Sequence, residues 1–187
     1  VVGTPAIDLP SVSMTELRRI GAMIRSIHDV CAEIGPEFGE AWDLDVRIPA
    51  EQPDLLCHND LGAWNLITGE RWVFIDWDAF GPSTRLWDLA YAAQSIANLN
   101  AGEPVREAAE RLGALVDGYG ADRATRAALP GVLSLRTRGM YEMLATANRD
   151  GRQPWGRMFE EEHGGHWLRA TQYVAEHQDT WQEVLNG

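Results

Sequence analysis

The sequence contains no lysine: all 16 of its basic residues are arginine, set against 28 acidic ones, for a formal net charge of −12 at pH 7. Neutralising a phosphate backbone takes clustered cations, so a chain this acidic lacks the electrostatic footprint of a nucleic-acid binder. Long apolar runs are also missing, as is any charged-then-apolar leader. A membrane span and a signal peptide are therefore excluded from the reading, and a cytoplasmic location is expected. Cysteine is scarce, and Cys31 and Cys57 sit among apolar neighbours, which predicts buried reduced thiols rather than a disulfide or a metal pair. The five histidines show no zinc spacing. Repeats and low-complexity segments are absent. What remains is 187 residues, 45% hydrophobic, enough for one core and about one domain.

The informative stretch is Leu55 to Asp78, LLCHNDLGAWNLITGERWVFIDWD. Asp60 is followed five residues later by Asn65, in the order His-x-Asp-x-x-x-x-Asn, and Asp76 closes an apolar strand. Leu66-Ile67-Thr68 and Arg71 to Ile75 read as two short strands around the turn Gly69-Glu70. Leu55-Leu56-Cys57 is a third apolar piece that delivers His58 and Asp60 to the same end. Gly62 permits a tight path between Asp60 and Asn65. Three oxygen-bearing side chains are thus expected at one rim. Phosphoryl transfer demands such a set, an acceptor for a hydroxyl proton and oxygen ligands for magnesium, because it asks little covalent work of the protein. A single Asp or Asn beside a turn usually just bonds the backbone; the combination carries the weight.

HNDLGAWN, FIDWD and RLWDLA resemble the motifs of the aminoglycoside phosphotransferase and choline kinase-like enzymes, a branch of the protein-kinase-like fold. The resemblance implies that Asp60 is the catalytic base, that Asn65 and Asp76 are magnesium ligands, and that His58 braces the loop. Asp78 matches an acidic position near the metals, and Asp88 matches a buried aspartate that holds the catalytic loop from the next helix. It implies ATP and Mg2+ as cofactors and a small hydroxylated acceptor, with antibiotic resistance among the possible roles. Kinases of this fold hold the nucleotide phosphates with a lysine beneath a Gly-rich loop on the N-terminal lobe. Neither is present in this chain. The expected fold is therefore mainly α with a small β-hairpin: the C-terminal, helical lobe of the aminoglycoside phosphotransferase fold, with the N-terminal β lobe absent and expected as a partner.

In order along the chain, residues 1–12 read as a hinge remnant and 13–187 as the lobe, with catalytic loop and metal hairpin at 55–78 and a helical acceptor-binding part at 85–187. Ser13-Met14-Thr15-Glu16 is a capping box, opening a helix whose stripe is Leu17, Ile20, Ile24, Ile27, Cys31 and Ile34 until Gly35-Pro36 stops it. His28, beside the stripe, reads as a packed core histidine. Glu37 to Pro53 is a polar connector that Trp42 could anchor. Ala79 to Ser83 reads as a short turn-rich segment, which argues against regulation by a long activation loop. Further helices are expected at Arg85–Leu99 and Val105–Tyr119, with Gly120 ending the latter. Another, capped by Asp122, should be interrupted or kinked at Pro130-Gly131 and resume from Val132 to Asn148. Gly151 to Gly156 reads as a loop, and Met158 to Leu185 as the last helices, broken at Gly164-Gly165.

Of the eight tryptophans, Trp64 and Trp77 lie inside the motifs, where core packing is the first expectation and a face toward substrate the second. Trp155, Glu160, Glu161 and Trp167 could bind an amine by charge and stacking, and the acidic balance suits a cationic acceptor. The alternative function is a binding or scaffold module derived from the kinase fold, without phosphotransfer. A nucleotide-independent enzyme reusing the acidic rim stands third.

Overall fold

The structure is a computed structural model, and it describes residues 2–35 and 52–187. Most of the expected connector, Trp42 included, falls outside them. Seven α-helices and five short strands follow one another among the described residues. The protein is mainly helical, and none of these helices is long and apolar enough to cross a membrane.

Helix α1 spans Met14–Ala32 and begins as the sequence dictates: Ser13 Oγ accepts the Glu16 N–H while the Glu16 carboxylate takes the Ser13 N–H at 2.8 Å. Leu17, Ile20, Ile24 and Cys31 are buried with His28 among them. Ile34 instead lies exposed, because the helix stops at Ala32 and Gly35 turns the chain away at φ +86°. Helix α2 spans Arg85–Ile96 and α3 spans Val105–Tyr119. The expected continuation of α2 to Leu99 fails at Asn98, whose left-handed backbone (φ +55°) folds Leu99 back into the core. Gly120 closes α3 at φ +68°, as its position predicts.

Contact between α1 and α3 is made backbone to backbone. A Cβ on Gly21 would stand 2.1 Å from the Leu115 carbonyl oxygen, and one on Gly118 would stand 2.0 Å from that of Arg18. Neither obstacle is a side chain that can rotate away.

Helix α4 runs from Arg123 to Arg149 without the break expected at Pro130-Gly131. Proline removes one ladder bond and typically costs about 3 kcal/mol inside a helix. Burial of Leu129, Pro130 and Leu133 in one turn, together with the Asp122 cap on Thr125 N–H, offsets that cost. Helix α5 (Trp155–Met158) shortens the expected loop at 151–156. The next break falls at Glu161 and Glu162 (φ +75°), not at the glycines. Gly164 begins α6 (Gly164–Glu176) and serves packing: a Cβ there would meet the Phe159 ring at 2.5 Å. Helix α7 (Gln178–Asn186) returns Trp181 to the core, its indole N–H donating to the Val174 carbonyl at 2.9 Å.

The strands form two small antiparallel sheets. In the first, β1 (Thr4–Pro5), β3 (Leu66–Thr68) and β4 (Val73–Phe74) lie in the order β1-β3-β4, with Leu66 opposite Phe74 and Thr4 opposite Thr68. The expected hairpin is present, but its second strand is shorter than Arg71–Ile75. The segment read as a hinge adds an edge strand to it and buries Ala6 in the main core. In the second sheet, β2 (Leu55–Cys57) pairs with β5 (Gly81–Ser83), a segment that reads as turn because Gly and Pro are poor strand formers.

The α1–α3 contact yields a prediction. Gly118→Ala, which inserts one methyl where backbone already touches backbone, is expected to lower unfolding free energy by about 3 kcal/mol. Urea denaturation against the parent chain measures it; an unchanged midpoint would show that the two helices are not in backbone contact.

Candidate functional site

The loop from His58 to Asn65 is held by its own polar groups. The His58 ring is buried; its Nδ1 accepts the Asp60 N–H at 3.3 Å, which leaves Nε2 protonated to donate to the Ile75 carbonyl at 3.1 Å. Gly62 N–H closes on Asp60 O at 2.8 Å, and Asn65 N–H on Gly62 O at 3.0 Å. The carboxamide of Asn65 then reaches back, Nδ2 donating to the Asp60 carboxylate at 2.9 Å and to its carbonyl at 3.0 Å. The indole N–H of Trp64 approaches the same carboxylate oxygen at 3.4 Å.

The end of β4 is tied to this loop. Ile75 N–H donates to Asn65 O at 2.9 Å while Ile75 O accepts from His58. Asp76 follows directly in the left-handed region (φ +60°), and Asp76 and Asp78 are both exposed. Asp60 and Asn65 are thus in direct contact, and Asp76 joins them through Ile75. The carboxylates of Asp60, Asp76 and Asp78 do not form a tight cluster. Among the described residues, the group of three His, Cys or carboxylate side chains whose ligand atoms lie within 4.8 Å of one another is His28, Cys57 and Asp88, all buried.

That group is a hydrogen-bond core. Asp88 Oδ1 accepts the Asn59 N–H at 2.9 Å, and Oδ2 meets His28 Nε2 at 3.1 Å. Nδ1 of His28 meets the Tyr119 hydroxyl at 2.8 Å, and Arg85 donates to the same hydroxyl. With Tyr119 donating to Nδ1, the imidazole donates from Nε2 and the carboxylate is fully engaged. Burial, and then the Asp88 charge, push the thiols of both Cys57 and Cys31 up, so neither supplies a thiolate.

Three residues of the site escaped the sequence reading. Asn59 adopts φ +64°, and its Nδ2 reaches the carbonyls of Cys57, Ala79 and Gly81 at 3.3, 3.0 and 3.2 Å, pinning the loop to the second sheet. Arg136 of α4 donates to the Asn59 carbonyl at 3.0 Å; a cation at an inward helical position was its only signal. Tyr91 of α2 is buried beside Asp60; burial and then the Asp60 charge raise its phenol, and Arg136 opposes them.

Trp64 and Trp77 are 39% and 38% exposed, contrary to the first expectation of core packing. Trp77 lies against His58, ring centroids 4.5 Å apart. Of the residues expected to bind the acceptor, Glu160 and Glu161 are exposed on the turn before α6 and Trp155 is half-buried. Trp167 is only 5% exposed and stacks on Tyr91, centroids 5.8 Å apart, so it is an inner layer with no free face to offer.

Two predictions follow from the buried core. Neither Cys31 nor Cys57 should react with iodoacetamide at about pH 8 while the chain is folded, and both should react in denaturant, as intact mass will show. Asp88→Ala leaves the Asn59 N–H and His28 without their acceptor and should cost about 3 kcal/mol in urea unfolding, Asp88→Asn less.

Residues 28–129, more than half of the chain and including the whole loop, the β4 end and Asp88, match the family described as the phosphotransferase enzyme family. Searches of curated proteins and of solved structures gave no match. With the loop, hairpin and buried aspartate inside the matched span, the chain belongs to the phosphotransferase enzyme family, in keeping with its likeness to aminoglycoside phosphotransferases and choline kinase-like enzymes.

Proposed function

We propose that this chain carries the catalytic face of a small-molecule kinase that moves the γ-phosphate of ATP to a hydroxyl group. The observation that carries this reading is the bond from Asn65 Nδ2 to the Asp60 carboxylate at 2.9 Å, made while Asn65 O holds the strand end that presents Asp76. The carboxylate of Asp60 takes the proton of the acceptor hydroxyl as its oxygen bonds to the γ-phosphorus; the bond from that phosphorus to the bridging oxygen breaks and ADP departs. His58, held between the Asp60 amide and the Ile75 carbonyl, braces the base.

The donor set suits magnesium. Because Asn65 turns its amide nitrogen to Asp60, its carboxamide oxygen is left for another partner, and the exposed carboxylates of Asp76 and Asp78 add hard oxygen donors. Bound there with the nucleotide, Mg2+ would neutralise phosphate charge. Residues 13–187 are proposed as the C-terminal lobe, with 1–12 leading toward a second, nucleotide-clasping lobe. Support for that comes from a chain with neither lysine nor a Gly-rich loop. The net charge of −12 and the exposed rings of Trp64 and Trp77 favour a cationic, hydroxylated acceptor such as an aminosugar.

In the protein as its gene encodes it, Asp60→Ala should lower Mg·ATP turnover about a hundredfold with an unchanged circular dichroism spectrum. Asp76→Ala should raise the magnesium concentration required for half-maximal rate. Normal turnover in Asp60→Ala would remove the assignment.

A further inference from the structure

The chemistry proposed above leaves one buried cation without a task. Arg136 is 3% exposed in the middle of α4. Nη2 is bonded to the Asn59 carbonyl at 3.0 Å, whereas Nε and Nη1 are buried with no hydrogen-bond partner in the protein. Its guanidinium carbon stands 4.2 Å from the Tyr91 ring centroid and 5.6 Å from that of Trp87. Burying an incompletely bonded guanidinium is costly, and an apolar side chain of similar volume would often serve packing better. The charged or ionisable groups that face it are Tyr91, Asp88 and Asp60.

The bond to Asn59 falls at a sensitive point. A peptide group is planar, so two contacts on it fix its orientation. The plane between Asn59 and Asp60 carries the Asn59 carbonyl, which Arg136 holds, and the Asp60 N–H, which His58 Nδ1 holds at 3.3 Å. The preceding plane is held by Asp88 through the Asn59 N–H. Asn59 itself sits at φ +64°, a conformation that asparagine adopts more readily than other non-glycine residues, and its Nδ2 bonds to the carbonyls of Cys57, Ala79 and Gly81 hold it there. The Cα of Asp60 is bonded directly to the plane that Arg136 grips, and the Tyr91 ring beneath the guanidinium lies beside the Asp60 carboxylate.

We infer that Arg136 is a positioning residue for phosphotransfer: through the Asn59 carbonyl and the Tyr91 ring it sets the direction in which the Asp60 carboxylate points, without touching substrate. The inference rests on the reading of Asp60 as the base. Arginine suits the role because its fork can stack on a ring and donate at the same time, which a lysine cannot reproduce.

Amide hydrogen exchange, followed by NMR in the chain and its Arg136→Met and Arg136→Lys variants, tests the clamp without needing activity. In Arg136→Met the Asp60 amide should exchange about tenfold faster or more, while amides of α1 and α3 stay within about twofold. Arg136→Lys should fall between. In the protein as encoded, Arg136→Met should lower kcat about tenfold with the KM for Mg·ATP within about twofold. Unchanged exchange at Asp60, or acceleration there only in step with α1 and α3, overturns the clamp. Should Arg136→Met fail to fold, Arg136→Lys carries the same test, and no local change at Asp60 there is an overturning result. Local acceleration at Asp60 with normal turnover in Asp60→Ala would locate the error in the choice of base, not in the clamp.

Discussion

The carboxylate of Asp88 is shut away from water, and an anion in that position is tolerable only if the groups around it spend their hydrogens on it. They do: Asn59 gives its backbone N–H to one oxygen and His28 its ring to the other. His28 is in turn held by Tyr119, Tyr119 by Arg85, and Arg85 reaches the exposed Asp29 at 2.8 Å. One chain of polar contacts therefore runs from the surface of α1 to the loop that carries Asp60. The short strands beside it have few ladder bonds of their own, so the geometry of the loop depends on this network more than on sheet formation.

Apolar packing builds the frame on which that network hangs. Helices α1 and α3 approach until backbone meets backbone at Gly21 and Gly118, which brings His28 on one helix within reach of Tyr119 on the other. Leu17, Ile20, Ile24, Leu112 and Leu115 are fully buried around that contact.

Much of this could be read from the residues. Period and capping gave α1 and α3 nearly to the residue, because Ser13 with Glu16 and Gly120 at its left-handed position are local devices whose effect does not depend on distant partners. The proximity of Asp60 and Asn65 was legible from one short loop. Tertiary context decided the rest. Gly81-Pro82-Ser83 is a strand because Leu55 to Cys57 needs a partner, and Pro130 stays in a helix because its neighbours are buried. Gly164 marks a ring contact and not a break. Asn59 and Arg136 passed unnoticed because each works through a bond 20 or more residues away in sequence: Asn59 to Ala79 and Gly81, Arg136 to Asn59.

The orientation of the Asn65 carboxamide has one more implication. Its donor end is spent on the carboxylate and the main-chain carbonyl of Asp60, so the side chain acts as an insulator with opposite poles, one facing an anion and the other able to face a cation. An aspartate in that place would set two negative groups against each other about 3 Å apart, and one of them would take up a proton. On the proposed reading, the asparagine would let a proton acceptor and a cation's oxygen ligand stand as immediate neighbours while each keeps the charge state it needs.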